Sequence, residues 1–506
     1  MNADPLKADV VVDRSAVLAP VHRRLFGSFV EHMGRCVYGG VFEPGHPTAD
    51  DRGFRGDVLD LTRELGVSVV RYPGGNFVSS YRWEDGVGPV AERPTRLNLA
   101  WRCLETNEFG LNEFIEWCRA ANVEPMMTVN LGTRGVQEAC DLLEYCNYPS
   151  GTYLSDLRRK HGYAEPHRIK LWCLGNEMDG PWQVGQKTPL EYARLAAETA
   201  KAMRIIDPTI ELVAVGSSNS DMPTFGEWEA TLLEHAYDQI DYVSLHHYFD
   251  PGDQSRGDFL ASGVVMDRFI DAVVATADHI GAKLRKRKKI QLSFDEWNVW
   301  YVSRFTEPTD REWIDLPPLI EDDFTADDAV VVGDLMITLL RHADRVTVAN
   351  QAQLVNVIAP IRTLPGGPAW RQSIFHPFAI TSRLAKGSVL DVRPRGPVYA
   401  TDRHGDVPVL SAVATCDPDS DEVVVFAVNR AEQPVELNLA LLAGDGYVHA
   451  EHVTLTGGRD AVNTPEQPDR VSPRRLDTSP MDGGRAVIEL PAVSWNALRF
   501  TPHEKG

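Results

Sequence analysis

Two segments of the chain carry a carboxylate inside a tight polar motif, Gly175-Asn176-Glu177 and Asp295-Glu296-Trp297-Asn298. Each closes a run with strand character, 169–177 and 290–297. A pair of carboxylates displayed this way suits hydrolysis of a glycosidic bond. One group protonates the leaving oxygen while the other attacks the anomeric carbon, and a separation of about 5 Å implies retention through a covalent intermediate. The two acids need opposite charge states, since a nucleophile must be ionised and an acid must hold its proton. Arg71, His246 and Tyr248 belong to strand ends near that of Glu296 and would keep it charged, which makes Glu296 the nucleophile. Glu177 is then the acid, its proton affinity raised by Glu296. That affinity falls once the glycosyl-enzyme forms, so the same group becomes the base for water.

The remaining strand candidates also finish on polar residues: Glu31 and His32, residues 71–76, Asn130, residues 217–219, residues 246–248 and residues 351–353. Catalytic groups of a barrel sit at the C-terminal ends of its strands, and a ring of polar ends on apolar strands describes a pocket for a polyol. His22, His32, His246 and His247 raise a metal-dependent hydrolase as an alternative. Adjacent histidines on a strand point to opposite faces, so His246 and His247 cannot share an interior ion. No metal or cofactor is expected. A carbohydrate-binding protein without catalysis is the other alternative, but it should lack one of the two glutamates, and both are present.

The elements that must position these groups follow from periodicity. Short apolar runs at 25–33, 67–72, 125–131, 169–177, 211–217, 242–248, 290–297 and 346–353 alternate with helical patterns such as 55–65, 111–121, 189–206 and 326–342. Eight such units predict an α/β fold, the (β/α)8 TIM barrel. No Gly-x-Gly-x-x-Gly or Walker lysine loop supports a nucleotide-binding sheet instead. A helix is expected over 370–386, after which the texture changes to short strands and turns at 422–429, 435–441 and 486–490, the signature of a C-terminal antiparallel β-sandwich, jelly-roll-like. The run 10–12 has no helix beside it and is expected to join that sandwich. The implied division is 1–19 as an N-terminal strand segment, 20–383 as the catalytic barrel and 384–506 as the sandwich.

With 506 residues, 43% of them hydrophobic and 24% charged, the chain has enough material for two cores and no sign of disorder. Its net charge of -21 repels phosphate backbones, which argues against nucleic acid or an anionic membrane as partner. No apolar stretch approaches the roughly 20 residues a membrane span needs. The basic run 283–289 sits where a helix should end, a place that favours cations. The first residues include Asp4, Asp9 and Asp13 and do not read as a secretory signal, and seven cysteines without a C-x-x-C pair read as reduced thiols, so a cytoplasmic location is expected.

Taken together, the motifs Arg71-Tyr72-Pro73-Gly74-Gly75-Asn76, Trp172-Cys173-Leu174-Gly175-Asn176-Glu177, Asp295-Glu296-Trp297-Asn298 and Ala352-Gln353-Leu354-Val355-Asn356 resemble those of glycoside hydrolase family 51 α-L-arabinofuranosidases. The resemblance implies an exo-acting retaining enzyme, with Glu177 as acid/base and Glu296 as nucleophile. It further implies that Glu31, Asn76, Asn176 and Gln353 hold the furanose hydroxyls, that Arg71, His246 and Tyr248 support the nucleophile, and that Trp101 and Trp300 line the pocket walls. Arabinose-containing oligosaccharides and a homo-oligomer, a hexamer, are implied in the same way. The loops 81–106 and 302–323 match less well and leave linkage and chain length open. The residues themselves also leave open another retaining specificity on this scaffold, an endo-β-glucanase or a β-xylosidase, because pocket closure cannot be read from them.

Overall fold

The structure is a computed structural model that describes residues 6–252, 254–306, 312–315 and 317–503. Eight parallel strands close on themselves: β1 (Gly27–Phe29), β2 (Val69–Tyr72), β3 (Glu124–Thr128), β4 (Leu171–Leu174), β5 (Glu211–Ala214), β6 (Tyr242–Phe249), β7 (Gln291–Val299) and β8 (Val346–Gln351). All eight expected strands are present in order. The first five are shorter than the apolar pattern, so several polar groups read as strand ends lie on the loops just beyond. The barrel interior is filled by Val69, Met126, Leu171, Cys173, Val213, Tyr242 and Val348, which form a cluster of their own. This plug closes the tube beneath the site. At the opposite mouth Arg24 donates to both Glu124 and Glu211, the first residues of β3 and β5.

The outer helices obey their sequence signals. Pro189–Ile206 starts with Thr188 accepting from the Glu191 amide, and Pro189 occupies the first turn, where its missing N–H costs nothing. The basic run follows the end of helix Ser262–Lys283, and Lys283, Lys286, Lys288 and Lys289 pair with Glu234, Asp238, Asp241 and Asp278. These cations serve the surface of the fold.

Two departures from expectation occur near the second core. The helix expected over 370–386 spans Phe375–Leu384, because Ala369–Arg371 pairs with Ile361–Thr363 as a small antiparallel ribbon. The N-terminal strand Leu6–Val12 does enter the C-terminal domain, but parallel to Val435–Leu441, in a three-stranded sheet with Arg485–Leu490. Its alternating burial places Ala8, Val10 and Val12 inside. The facing seven-stranded sheet takes up Val17–Pro20 beside Ser388–Leu390.

Helix Ala326–Arg341 is buried on every side from Ala326 to Leu340 because it lies between barrel and sandwich. Gly333 is required there: a Cβ at that position would stand 2.1 Å from Trp495. At the next residue Asp334 accepts from Arg430 at 2.7 Å, with both side chains almost fully buried. Removing one partner strands the other charge in a dry junction. Arg430→Met is therefore expected to lower stability by about 3–5 kcal/mol in denaturant unfolding, and an unchanged unfolding midpoint would show the pair to be irrelevant to the junction.

Candidate active site

The predicted strand ends converge on one mouth of the barrel. Glu177 lies three residues past the end of β4, after a turn in which Gly175 (φ 97°) and Glu177 itself (φ 43°) adopt left-handed backbone. For a glutamate this is a strained conformation of the kind that collects at functional sites. Glu296 lies within β7, and its orientation depends on an extra residue. From Ser293 to Glu296 β7 advances three positions while β6 advances two, Ser244 to His246, and the same mismatch recurs against β8. A bulge of this kind re-aims side chains, and here it lets the adjacent Asp295 and Glu296 both face the barrel interior.

Around Glu296, Arg71 donates to Oε1 at 2.6 Å and the Tyr248 hydroxyl donates to Oε2 at 2.8 Å. The other arm of the Arg71 guanidinium donates to Asn176 Oδ1 at 2.6 Å, and Asn176 in turn donates to Asn76 at 3.3 Å. Glu177 has a different shell. Its Oε2 accepts from Trp182 Nε1 at 2.6 Å, and its Oε1 lies 3.0 Å from His246 Nδ1. One carboxylate oxygen each of Glu177 and Glu296 and a ring nitrogen of His246 all lie within 4.8 Å of one another. Burial first, and then the charge of Glu296, raise the proton affinity of Glu177. Burial opposes charge on His246, but Glu296, Asp295 and Glu177 outweigh it and push its pKa up to about 10. Acids on both sides of His246 thus favour its charged form. Its short contacts run to Glu177 and Asp295, and Glu296 is farther, at 3.5 Å.

Glu31 forms the third wall. Its Oε1 accepts from the Phe77 amide at 2.9 Å and from Trp101 Nε1 at 2.8 Å, while Gln353 donates to Oε2 at 3.2 Å. Burial, followed by the charge of Glu296, raises its pKa to about 8 against the pull of these donors. Between Glu31 and Glu296 runs the Gly74-Gly75 backbone. A Cβ on Gly75 would meet Glu31 Oε2 at 3.0 Å and Glu296 Oε1 at 3.3 Å, and Gly74, at φ 125°, lies against the Glu31 stem. Trp300 stands edge-on to Tyr248, 5.1 Å between rings. A pocket with two carboxylates this close, only one of them given cationic arginine support, fits sugar hydrolysis with retention.

Comparison with known proteins identifies whose pocket this is. Residues 61–259 match the family model "Alpha-L-arabinofuranosidase 1 domain" and residues 295–494 match "Alpha-L-arabinofuranosidase C-terminal domain". A protein of Streptomyces lividans named intracellular exo-α-(1→5)-L-arabinofuranosidase is 56% identical over 97% of this chain and 75% of its own. A Bifidobacterium longum protein named exo-α-(1→6)-L-arabinofuranosidase is 51% identical over 97% of this chain and 96% of its own. The solved structure of the family 51 α-L-arabinofuranosidase AbfB from Bifidobacterium longum matches with a TM-score of 0.94 and 48% identity, covering 98% of this chain and 100% of that one. The chain belongs to the family 51 α-L-arabinofuranosidases.

In this arabinofuranosidase Glu177, Glu296, Arg71, Asn76, Asn176, His246 and Tyr248 are linked by direct contacts, Glu31 and Gln353 bond each other, Trp101 bonds Glu31 and Trp300 packs on Tyr248. Other polar strand ends are structural. His32 turns away into a buried network, bonded to Glu105 and Tyr72 at 2.8 Å each, with Tyr38 on the same Glu105. Asn130 caps the turn at Gly132 and Thr133, and Ser218 bonds Asp179. His247 points away from His246, against Phe249 and Phe269, as strand alternation requires. Glu177, His246 and Glu296 are near enough to hold a cation, yet both oxygens of each glutamate and both nitrogens of His246 already have protein partners, and Arg71 supplies the positive charge. Sequence reasoning missed Trp182 and Asp295. Trp182 gave no periodic signal, being half-exposed on a loop, whereas Asp295 was visible inside the β7 motif, and only the bulge reveals that it faces inward.

The glycine backbone is a sharp probe of this geometry. Gly75→Ala is expected to leave the fold intact by circular dichroism and to lower kcat/KM by about 10²-fold, because displacing a reacting group by a fraction of an ångström carries that scale of loss. Full activity would show that the tight approach of Glu31 and Glu296 is unimportant.

Proposed function

We propose that this enzyme removes terminal non-reducing α-L-arabinofuranosyl units from oligosaccharides by double displacement. The observation that carries the reading is the approach of Glu177 and Glu296 to within 4.8 Å with unlike neighbours. In the first step an oxygen of Glu296, aligned by Arg71 and Tyr248, attacks the anomeric carbon. The bond to the leaving oxygen breaks, its electron pair stays with that oxygen, and Glu177 supplies the proton. In the second step water attacks the same carbon, Glu177 takes the water's proton, and the ester bond to Glu296 breaks, restoring both acids. Glu31, Asn76, Asn176 and Gln353 are assigned to the sugar hydroxyls, and Trp101 and Trp300 to the walls.

The named relatives differ in linkage at similar identity, (1→5) against (1→6). Linkage is assigned to the loops around the leaving-group side, including 302–323, of which 307–311 and 316 lie outside the described residues. The name of the Streptomyces relative, which says intracellular, supports a cytoplasmic enzyme acting on short arabinosides. No described helix is long and apolar enough to cross a membrane. A homohexamer and the division at 1–19, 20–383 and 384–506 complete the proposal.

Glu296→Ala is expected to abolish turnover of natural and activated substrates alike. Glu177→Ala should retain measurable cleavage of an aryl arabinofuranoside whose leaving group needs no proton, with loss on natural oligosaccharides greater by about 10²–10⁴-fold; equal loss on both kinds would refute the assignment. Proton NMR of the first-formed product from an aryl α-L-arabinofuranoside should show the α-anomer before mutarotation, and initial formation of the β-anomer would exclude the covalent route.

A further inference from the structure

Asp295 is buried to 1% exposure, and its two oxygens face different neighbours. Oδ1 lies 3.0 Å from His246 Nε2, while Oδ2 lies 3.7 Å from Arg71 Nε and 3.6 Å from the Cys173 thiol. The β7 bulge that points Asp295 inward disrupts the ladder on both sides of the strand. His246 is therefore bracketed, with Asp295 at one nitrogen and Glu177 at the other. A neutral imidazole has one N–H and must present a lone pair to the second neighbour, whereas the doubly protonated ring donates to both. We propose that Asp295 is a positioning residue that holds His246 in its doubly protonated form and thereby sets how tightly Glu177 keeps its proton in each half of the reaction. This rests on the reading of Glu177 as acid/base.

The surroundings make the balance explicit. His246 is faced by Glu177, Asp179, Asp295 and Glu296; Glu177 by His246, Glu296, Trp182 and Tyr248; Asp295 by Arg71, Cys173 and Tyr192. Burial and Glu296 drive Glu177 towards its protonated form, and the imidazolium opposes them. In the free enzyme Glu296 is an anion and its push keeps Glu177 ready to donate. In the glycosyl-enzyme Glu296 is an uncharged ester, so that push is gone and the imidazolium pull remains. Glu177 then releases its proton readily and can accept one from water. Asp295 contributes to this exchange by keeping the imidazolium charged while Glu296 changes state.

Asp295→Asn preserves shape, and its amide can donate to a lone pair on His246 Nε2 in place of the carboxylate that accepts there, leaving Nδ1–H on Glu177 while the charges of residue 295 and of the ring are both removed. The variant is expected to move the alkaline limb of kcat/KM on an oligosaccharide to higher pH by about one unit. With an aryl substrate of good leaving ability, kcat should fall by about 10-fold or more on the acid side of neutrality and recover as pH rises, with glycosyl-enzyme accumulating in intact-mass spectra. A uniform loss with unmoved limbs and no accumulation would overturn the proposal and leave Asp295 a packing residue. In case the variant does not fold, nitrogen NMR of the histidine-labelled wild-type enzyme, with the His246 signal identified by its loss in His246→Gln, reads the ring directly. Two N–H groups at neutral pH are expected, and a neutral ring would overturn the proposal. A wild-type enzyme inactive on every arabinofuranoside would strike the activity reading, and the ring spectrum would then decide the Asp295–His246 pairing by itself.

Discussion

The buried guanidinium of Arg71 is the interaction on which the site depends. It reaches Glu296 and Asn176 with one strong bond each, faces Asp295, and lies over the Phe29 ring at 5.1 Å. Taking an arginine out of water is costly unless its charge and hydrogen bonds are answered. Here the charge is answered by Glu296 and Asp295, and Nη1 and Nη2 are bonded to Glu296 and Asn176 while Nε faces Asp295 at 3.7 Å, so placing Arg71 also fixes the mutual geometry of these groups. Four carboxylates, Glu31, Glu177, Asp295 and Glu296, share the pocket with two cations, Arg71 and His246. The mismatch of two charges is relieved where the structure raises proton affinity, at Glu177 and Glu31. The acid is thus protonated as a consequence of the pocket's charge balance.

The barrel supplies the rigidity this balance needs. Cys173 belongs to the interior plug and also touches Asp295, so the packed core and the polar site meet with no soft layer between them. The carboxylates are then held by short segments rooted in closed sheet. Glu177 keeps its left-handed backbone because its shell over-determines it: its side chain is fixed by Trp182 and His246, and its carbonyl accepts from the Gly180 amide. Strain of this sort persists only where the surroundings impose it.

Much of this was legible in the sequence because its signals are local and periodic. The eight apolar runs mark the strands, and apolar residues at helical spacing over 189–206 mark an outer helix. Glu177 and Glu296 could be assigned because a carboxylate just past a buried strand has few bland explanations. What failed were features decided by long-range packing. His32 follows Glu31 directly, yet Glu105 and Tyr72, remote in sequence, draw it out of the pocket. His246 stands opposite Glu296 across the β7 register shift, as support for that group requires, but its shorter contacts run to Glu177 and Asp295, which strand position alone does not reveal. Periodicity assumes unbroken alternation, and a bulge is the departure that such reasoning cannot see.

The same distinction bears on which properties of the enzyme vary with sequence. Relatives sharing about half their residues with this chain carry names that differ in linkage, while the sugar they release is the same. The buried groups around Glu177 and Glu296 are tied to one another, so replacing one leaves a buried partner unsatisfied and carries a penalty before any ligand binds. At the rim the coupling is thinner: Trp182 is half-exposed and reaches the pocket through its bond to Glu177. Free-energy coupling therefore penalises change in the interior more than at the rim, and relatives named for one sugar and different linkages are what such a pocket leads one to expect.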